Sequence, residues 1–517
     1  MLFFAPAFIL AFLPLVLLAF WLARKLSLGA ALVVLLVASI VFLGYRTPSD
    51  VAVFALSLGG NYAAGEALGW RRSKAILAAG VAANLLLLGY FKYLTFIGAN
   101  LGVVGGPLQN AALPLAISFY TFNQIGYLVA RYRREVLAHG FLDYALFVAF
   151  FPHLIAGPIV HYRQLAVQFR SPGRMRLTAQ NFAVGLTIFV VGMFKKIVIA
   201  DGLARFADPL FAKAASGAAV NFLEAWGGDL AYGFQIYFDF SAYSDMAIGL
   251  AALFGVALPI NFFSPYKATS VIEFWHCWHI TLSRFLRDYL YIPLGGSRGG
   301  TARKYANLMA TMVLGGIWHG AGWTFLLWGA AHGLLLVVNH IWRALWHRGA
   351  HLATEGTGRL ALAAKWLLTF LAVQAAWVLF RAQSLAAAAN IYKGMIGWDG
   401  RFILPPSYQL LLAKLPFLGE LPASLFRGWP ADNVFSGRDQ LAALAVALAV
   451  TLLLPNVKEW MGGYFPTFPK EPAASGPWRW QWNAQKSAAA LCALAFVIAL
   501  GMQLFVQTPP QFIYFEF

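Results

Sequence analysis

The chain has 517 residues, 60% of them hydrophobic and only 11% charged, with a mean hydropathy of +0.67 and a formal net charge of +18. A water-soluble domain carries roughly 25% charged residues, so the composition excludes a soluble fold and divides the length among membrane spans of ~20 residues each. The Lys and Arg residues sit in short clusters between apolar runs, which is the pattern of cytoplasmic loops and excludes a nucleic-acid surface.

Apolar runs of spanning length are predicted at 2–23, 26–45, 50–67, 75–97 and 113–130. The first has no basic residues ahead of it and leads straight into the second, so it reads as a retained span, not a cleavable signal peptide. Arg24 and Lys25 follow the first run, Arg71, Arg72 and Lys74 the third, and Arg131, Arg133 and Arg134 the fifth, whereas the loops between carry little positive charge. Strict alternation then puts the N-terminus outside and the basic loops in the cytoplasm.

The run 141–160 departs from this pattern. Basic segments flank both of its ends, and Phe151-Pro152-His153 and Ala156-Gly157-Pro158 break it. A segment that enters and leaves on one side is re-entrant, and broken backbone at membrane depth must be enclosed by protein or line a cavity. His153 is expected to be structural. Further runs follow at 181–200, 230–258, 360–380, 438–455 and 487–508. Residues 305–341 form a second interrupted region, with two apolar arms around Trp318-His319-Gly320-Ala321-Gly322 and basic residues at both ends. With both interrupted regions returning to the cytoplasmic side, the C-terminus falls outside and the enclosed cavity opens to the cytoplasm.

Ionisable groups at membrane depth are functional hypotheses by default. His319 is the foremost: it lies deep in its arm among Gly315, Gly316, Gly320 and Gly322, which let another backbone or a ligand approach closely, and a neutral imidazole there suits a general base. The stretch 273–296 has Trp275, Trp278, Leu282, Phe285 and Tyr289 at helical spacing. It predicts one amphipathic helix along the cytoplasmic surface, with His279 buried and Arg284, Arg287 and Asp288 on the polar side. The acids and hydroxyls Asp239, Ser241, Tyr243 and Asp245 within the 230–258 run require either a bend into the cavity or pairing with Arg from a neighbouring helix. His276 and His279 have no further ligands at metal spacing, so no metal is expected. Cys277 and Cys492, the only cysteines, read as packing residues.

Four ordered motifs then carry a resemblance: PHLIAGPIVHYRQL (152–165), YFDFSAYSDMAIGLAALFG (237–255), FWHCWHITLSRFLRDYLYIPLGGSRGG (274–300) and GGIWHGAGWTFLLWGAAHG (315–333). Together they resemble the membrane-bound O-acyltransferase (MBOAT) family, and within it the bacterial branch of alginate O-acetylation membrane proteins. WVLFRAQS (377–384) and the terminal FIYFEF (512–517) also look like that branch, whereas His276-Cys277 stands where the family usually carries a basic residue.

The resemblance implies an all-α polytopic membrane protein, a bundle of about ten to twelve spans with re-entrant segments and an internal tunnel. The whole of 1–517 would be one membrane-embedded domain: N-terminal spans at 1–109, a motif-bearing core at 110–400, and an extracellular stretch with C-terminal spans at 401–517. It implies catalytic roles for His319 and His279, with Asp245, Tyr243, Ser241, Trp318, Arg284 and Arg287 supporting them or lining the tunnel. It further implies acetyl-CoA or another acyl thioester as donor, a periplasmic acetyltransferase partner, an exopolysaccharide as final acceptor, and a place in the bacterial inner membrane with both termini periplasmic. The stretch Gln383–Asp439, with Trp398 and Trp429, is a candidate docking site for that partner. The alternatives are a non-enzymatic transporter with a polar His/Asp pathway and an acyltransferase acting on lipid or peptide acceptors.

Overall fold

The computed structural model describes residues 1–45, 47–103, 112–136, 140–171, 173–349, 358–406, 429–466 and 486–505, with the single residues Pro422, Phe468 and Trp482. The terminal motif at 512–517 and most of 407–428 lie outside the described residues. Every extended apolar run in the described chain is helical, because a helix satisfies its own backbone where no water can.

The first helices are α1 (Leu13–Leu26), α2 (Leu28–Gly44), α3 (Pro48–Trp70), α4 (Lys74–Asn100) and α5 (Ile117–Tyr132). The short α6 (Phe141–Ala149), α7 (Phe151–Leu154) and α8 (Tyr162–Phe169) make up the first interrupted region. They lead into α9 (Ala179–Phe194), α10 (Asp201–Ala215) and the 32-residue α11 (Phe222–Leu253). Then come α12 (Val271–Cys277), α13 (Ile280–Leu286), α14 (Thr301–His319), α15 (Trp323–Gly349), α16 (Arg359–Arg381), α17 (Leu385–Met395), α18 (Arg438–Leu453), α19 (Val457–Met461) and α20 (Lys486–Phe505).

Among the described residues, 5 helical stretches are long and apolar enough to cross a membrane alone, and the bent pair Arg438–Leu453 with Val457–Tyr464 adds one more. The protein is a multi-pass membrane protein. Helix α11 is long enough for a span yet carries Glu224, Asp229, Asp239 and Asp245, so it runs inside the bundle with nearly all of its residues buried.

The basic loops gather at one end of the bundle. Arg24 donates to the Met175 carbonyl, Arg131 to that of Gly65, Arg134 to that of Gly69, and Arg170 to the Asp143 carboxylate. At the other end Lys213 pairs with Glu224, which also accepts from the Val434 N–H and so ties the segment after residue 429 to α10 and α11.

The first interrupted region is enclosed by protein, with residues 144–156 all buried. A Cβ on Gly157 would run into the His153 backbone, so this tight return requires glycine. His153 is buried beside Phe150. The second interrupted region is a helical hairpin of α14 and α15. Its turn reaches the far end of α4, where Trp323 Nε1 donates to the Asn100 side chain. A 19-residue helix is roughly 28 Å long, so this is a full-depth hairpin. Its glycines serve helix packing: a Cβ on Gly316 would strike the Phe325 carbonyl, and one on Gly329 the Met312 carbonyl.

Two sequence expectations need correction. Residues 273–296 do not form one helix: α12 ends at Cys277 and α13 begins at Ile280, with His279 between them at φ 41°. Of the two alternatives for 239–245, a bend into the cavity or pairing with Arg, the bend is absent, since α11 runs through it unbroken. Its acids pair with lysines, not arginines. Lys195 lies 2.8 Å from Asp245, and Lys196 lies 2.6 Å from both Asp239 and Asp201. The two lysines sit on consecutive residues of a π-helical turn (Lys195–Ala200) between α9 and α10, which keeps both of them toward α11.

Candidate active site

The break at His279 has a local cause in the loop 256–270. The Asn261 carbonyl accepts from the Ile280 N–H at 2.9 Å, and the Phe263 N–H donates to the Cys277 carbonyl at 2.9 Å. The Asn261 Oδ1 accepts from the Thr281 N–H at 3.3 Å and from the Thr281 hydroxyl at 2.9 Å. These bonds hold His279 in the left-handed region, which costs a non-glycine residue roughly 1–2 kcal/mol. The segment is held in this shape by its tertiary partners, against its own helical periodicity.

The same asparagine fixes the His279 tautomer. A backbone N–H can only donate, so the atom of Asn261 facing Thr281 is its oxygen. That oxygen lies 3.1 Å from His279 Nδ1, while Asn261 Nδ2 donates to Ser244 at 3.1 Å. Nδ1 therefore carries the proton, and Nε2 presents a lone pair. The Thr281 hydroxyl in turn accepts from the Ile159 N–H at 3.1 Å, so the non-helical return after α7 is tied to the same network.

His319 is the last residue of α14, and the chain turns extended at Gly320. Its imidazole packs against Trp318, Trp328 and Phe380 at 4.8, 5.1 and 5.2 Å between ring centres. His279 and His319 are 1% and 5% exposed. Trp377 lies between their surroundings, 4.9 Å from Trp278 and 5.8 Å from Trp328. His279, Lys92 and His332 lie close enough to His319 to act on it electrostatically. A run of ring contacts through Phe262, Trp278, Trp377 and Trp328 thus connects the surroundings of His279 to those of His319.

A cavity of about 400 Å³ lies beside these surroundings, with neither His279 nor His319 in its lining. Arg284, Arg287, Asp288 and His161 line it together with Thr281, Phe122 and Phe285. Phe122 stacks on Phe285 at 4.2 Å and on Trp318 at 4.8 Å. Thus the inner wall of the cavity touches the surroundings of both histidines, His279 through Thr281 and Asn261 and His319 through Trp318. Burial lowers the His161 pKa from its ordinary value, with the Asp288 carboxylate opposing.

The other expected residues divide. Ser241 and Asp245 line a second, small cavity with Asn261 and Lys195. Tyr243 points elsewhere, its ring stacked on Phe3 at 4.8 Å. Sequence reasoning missed Asn261, Thr281, Lys92 and His332. His332 Nδ1 accepts from Trp275 Nε1 at 3.3 Å, so its proton sits on Nε2. That N–H and the indole N–H groups of Trp318 and Trp328 are buried with no hydrogen-bond partner among the described residues. The signals for His332 were a histidine in an apolar helix and its place in the motif 315–333; Asn261 lies in a loop with no pattern of its own.

Residues 110–380 match the family model described as MBOAT, membrane-bound O-acyltransferase family. The chain is 40% identical to a peptidoglycan O-acetyltransferase of Helicobacter pylori, over 77% of this chain and 80% of that protein. It is 41% identical to a "probable alginate O-acetylase" of Pseudomonas aeruginosa, over 77% of this chain and 75% of that one. A protein of the same description from Pseudomonas putida is 36% identical over 100% of both chains.

Proposed function

The chain belongs to the membrane-bound O-acyltransferase family, and from that premise we propose that it passes an acetyl group from a cytosolic thioester, acetyl-CoA, to a hydroxyl on the way to an exported polysaccharide. The observation that carries this reading is the placement of two buried histidines beyond the inner wall of a cavity rimmed by arginines. Arg284 and Arg287 suit the anionic phosphates of such a donor, and the cavity leads its acyl end toward the histidines.

The chemistry follows from these positions. His319 takes the proton of the acceptor hydroxyl, whose oxygen attacks the thioester carbonyl. His279 Nε2, a lone pair by its tautomer, accepts a hydrogen bond that holds the acceptor in place. The carbonyl oxygen becomes an oxyanion, for which the unpartnered N–H groups of Trp318, Trp328 and His332 are the nearby donors. The intermediate collapses with cleavage of the C–S bond, and the leaving thiolate takes the proton back from His319. No acyl-enzyme is needed. The protein sits in the bacterial inner membrane with its basic end in the cytoplasm and both termini in the periplasm, where a partner acetyltransferase carries the group to the polymer.

Purified protein with labelled acetyl-CoA tests the enzyme reading. Release of CoA or transfer of label by the wild type, and its loss by at least roughly 100-fold in His319→Ala, is the expected result. Equal turnover by both proteins, or none by either, sinks it and favours a transporter.

A further inference from the structure

A helix leaves its last carbonyls without intrahelical partners, and α14 has no glycine turn of its own to close them, because Gly320 is extended at φ −161°. The partners come from α4 instead. Lys92 Nζ donates to the Trp318 carbonyl at 2.6 Å and to the His319 carbonyl at 3.0 Å, and Tyr93 Oη donates to the Ile317 carbonyl at 2.8 Å. Three successive carbonyls at the end of α14 are thus capped by two successive residues of another helix. The Lys92 ammonium also lies 5.8 Å from the centre of the Trp318 ring. A cation is favoured at the negative end of a helix, and a lysine this deep in an apolar span is costly unless it has such a role.

We propose that Lys92 is a positioning residue: by capping α14 in trans it fixes the last turn and with it the direction of the His319 imidazole. The proposal rests on the reading that His319 is the base. It also gives α4 a part in the site, although α4 precedes the family-matched residues 110–380.

The test compares Lys92→Met, Lys92→Arg, Tyr93→Phe and His319→Ala in the purified full-length protein, by CoA release from acetyl-CoA and by hydrogen exchange of a peptide spanning 315–322. In Lys92→Met the expected loss of kcat is roughly 10- to 100-fold, with KM for acetyl-CoA within about 2-fold of wild type. Exchange in 315–322 quickens, Lys92→Arg regains most of the rate, and Tyr93→Phe loses only a few-fold. Wild-type kcat in Lys92→Met alongside an inactive His319→Ala overturns the proposal and leaves the base assignment standing. Parallel loss of kcat and rise of KM that Lys92→Arg does not rescue also overturns it, since that marks general misfolding. If the wild type releases no CoA, the functional reading fails, and the exchange of 315–322 alone decides: faster in Lys92→Met supports the cap, unchanged refutes it.

Discussion

At the residue scale, Asn261 organises His279. Its one oxygen accepts from the Thr281 N–H and hydroxyl and from His279 Nδ1, so a single side chain sets the tautomer and, with the main-chain bonds of Asn261 and Phe263, holds the backbone break. Asn261→Leu leaves these buried donors unpaired, each costing about 1–3 kcal/mol. It should lower the thermal midpoint and cut kcat at least roughly tenfold while the protein still inserts; an unchanged kcat in a stable variant would show that the tautomer is immaterial. His319 and His279 were visible in the sequence because a titratable ring in an apolar run stands out. Asn261 and Lys92 were not, because their value lies in contacts that span 18 and 227 positions of chain.

At the element scale, the spans were legible from apolar run length, and the hairpin 305–341 from its two arms. The break at His279 was hidden, since Trp275, Trp278, Leu282, Phe285 and Tyr289 keep helical spacing across it. Only the Asn261 loop, absent from any local pattern, imposes it. Likewise the acids of α11 showed that partners were needed, yet Lys195 and Lys196, inside the apolar run 181–200, did not stand out as those partners, because only the π-helical turn brings both to α11. Removing one partner of a buried pair costs about 3–5 kcal/mol, whereas replacing both by apolar groups is often neutral. Lys196→Met should therefore sharply lower the midpoint of thermal unfolding, and adding both Asp239→Leu and Asp201→Asn should recover much of it, since Lys196 pairs with both acids. Additive losses would show that the pair is not the stabilising unit.

At the scale of the whole molecule, the basic loops gather at one end, and the cavity opens there with Arg284 and Arg287 on its wall. Rim charges act on encounter and affinity more than on chemistry. Arg284→Glu with Arg287→Glu should raise KM for acetyl-CoA roughly tenfold and leave kcat within about 2-fold, with the wild-type KM rising with salt. His161 adds a pH dependence of definite sign. Its pKa is held below the ordinary 6.5, so it is neutral at pH 7 and gains charge only as the pH falls further. KM for the anionic donor should be flat above neutrality and decrease on acidification, and His161→Phe should abolish that decrease. This entrance, the two histidines and an acceptor beyond them make up the proposed path of the acetyl group. Its most direct test is the acetyl content of the exported polysaccharide from cells whose chromosomal copy carries His319→Ala, with the protein quantified in the membrane. The predicted result is a polymer stripped of acetyl esters while the variant is present at the wild-type level. An unchanged polymer, or altered lipids beside an unchanged polymer, would contradict it.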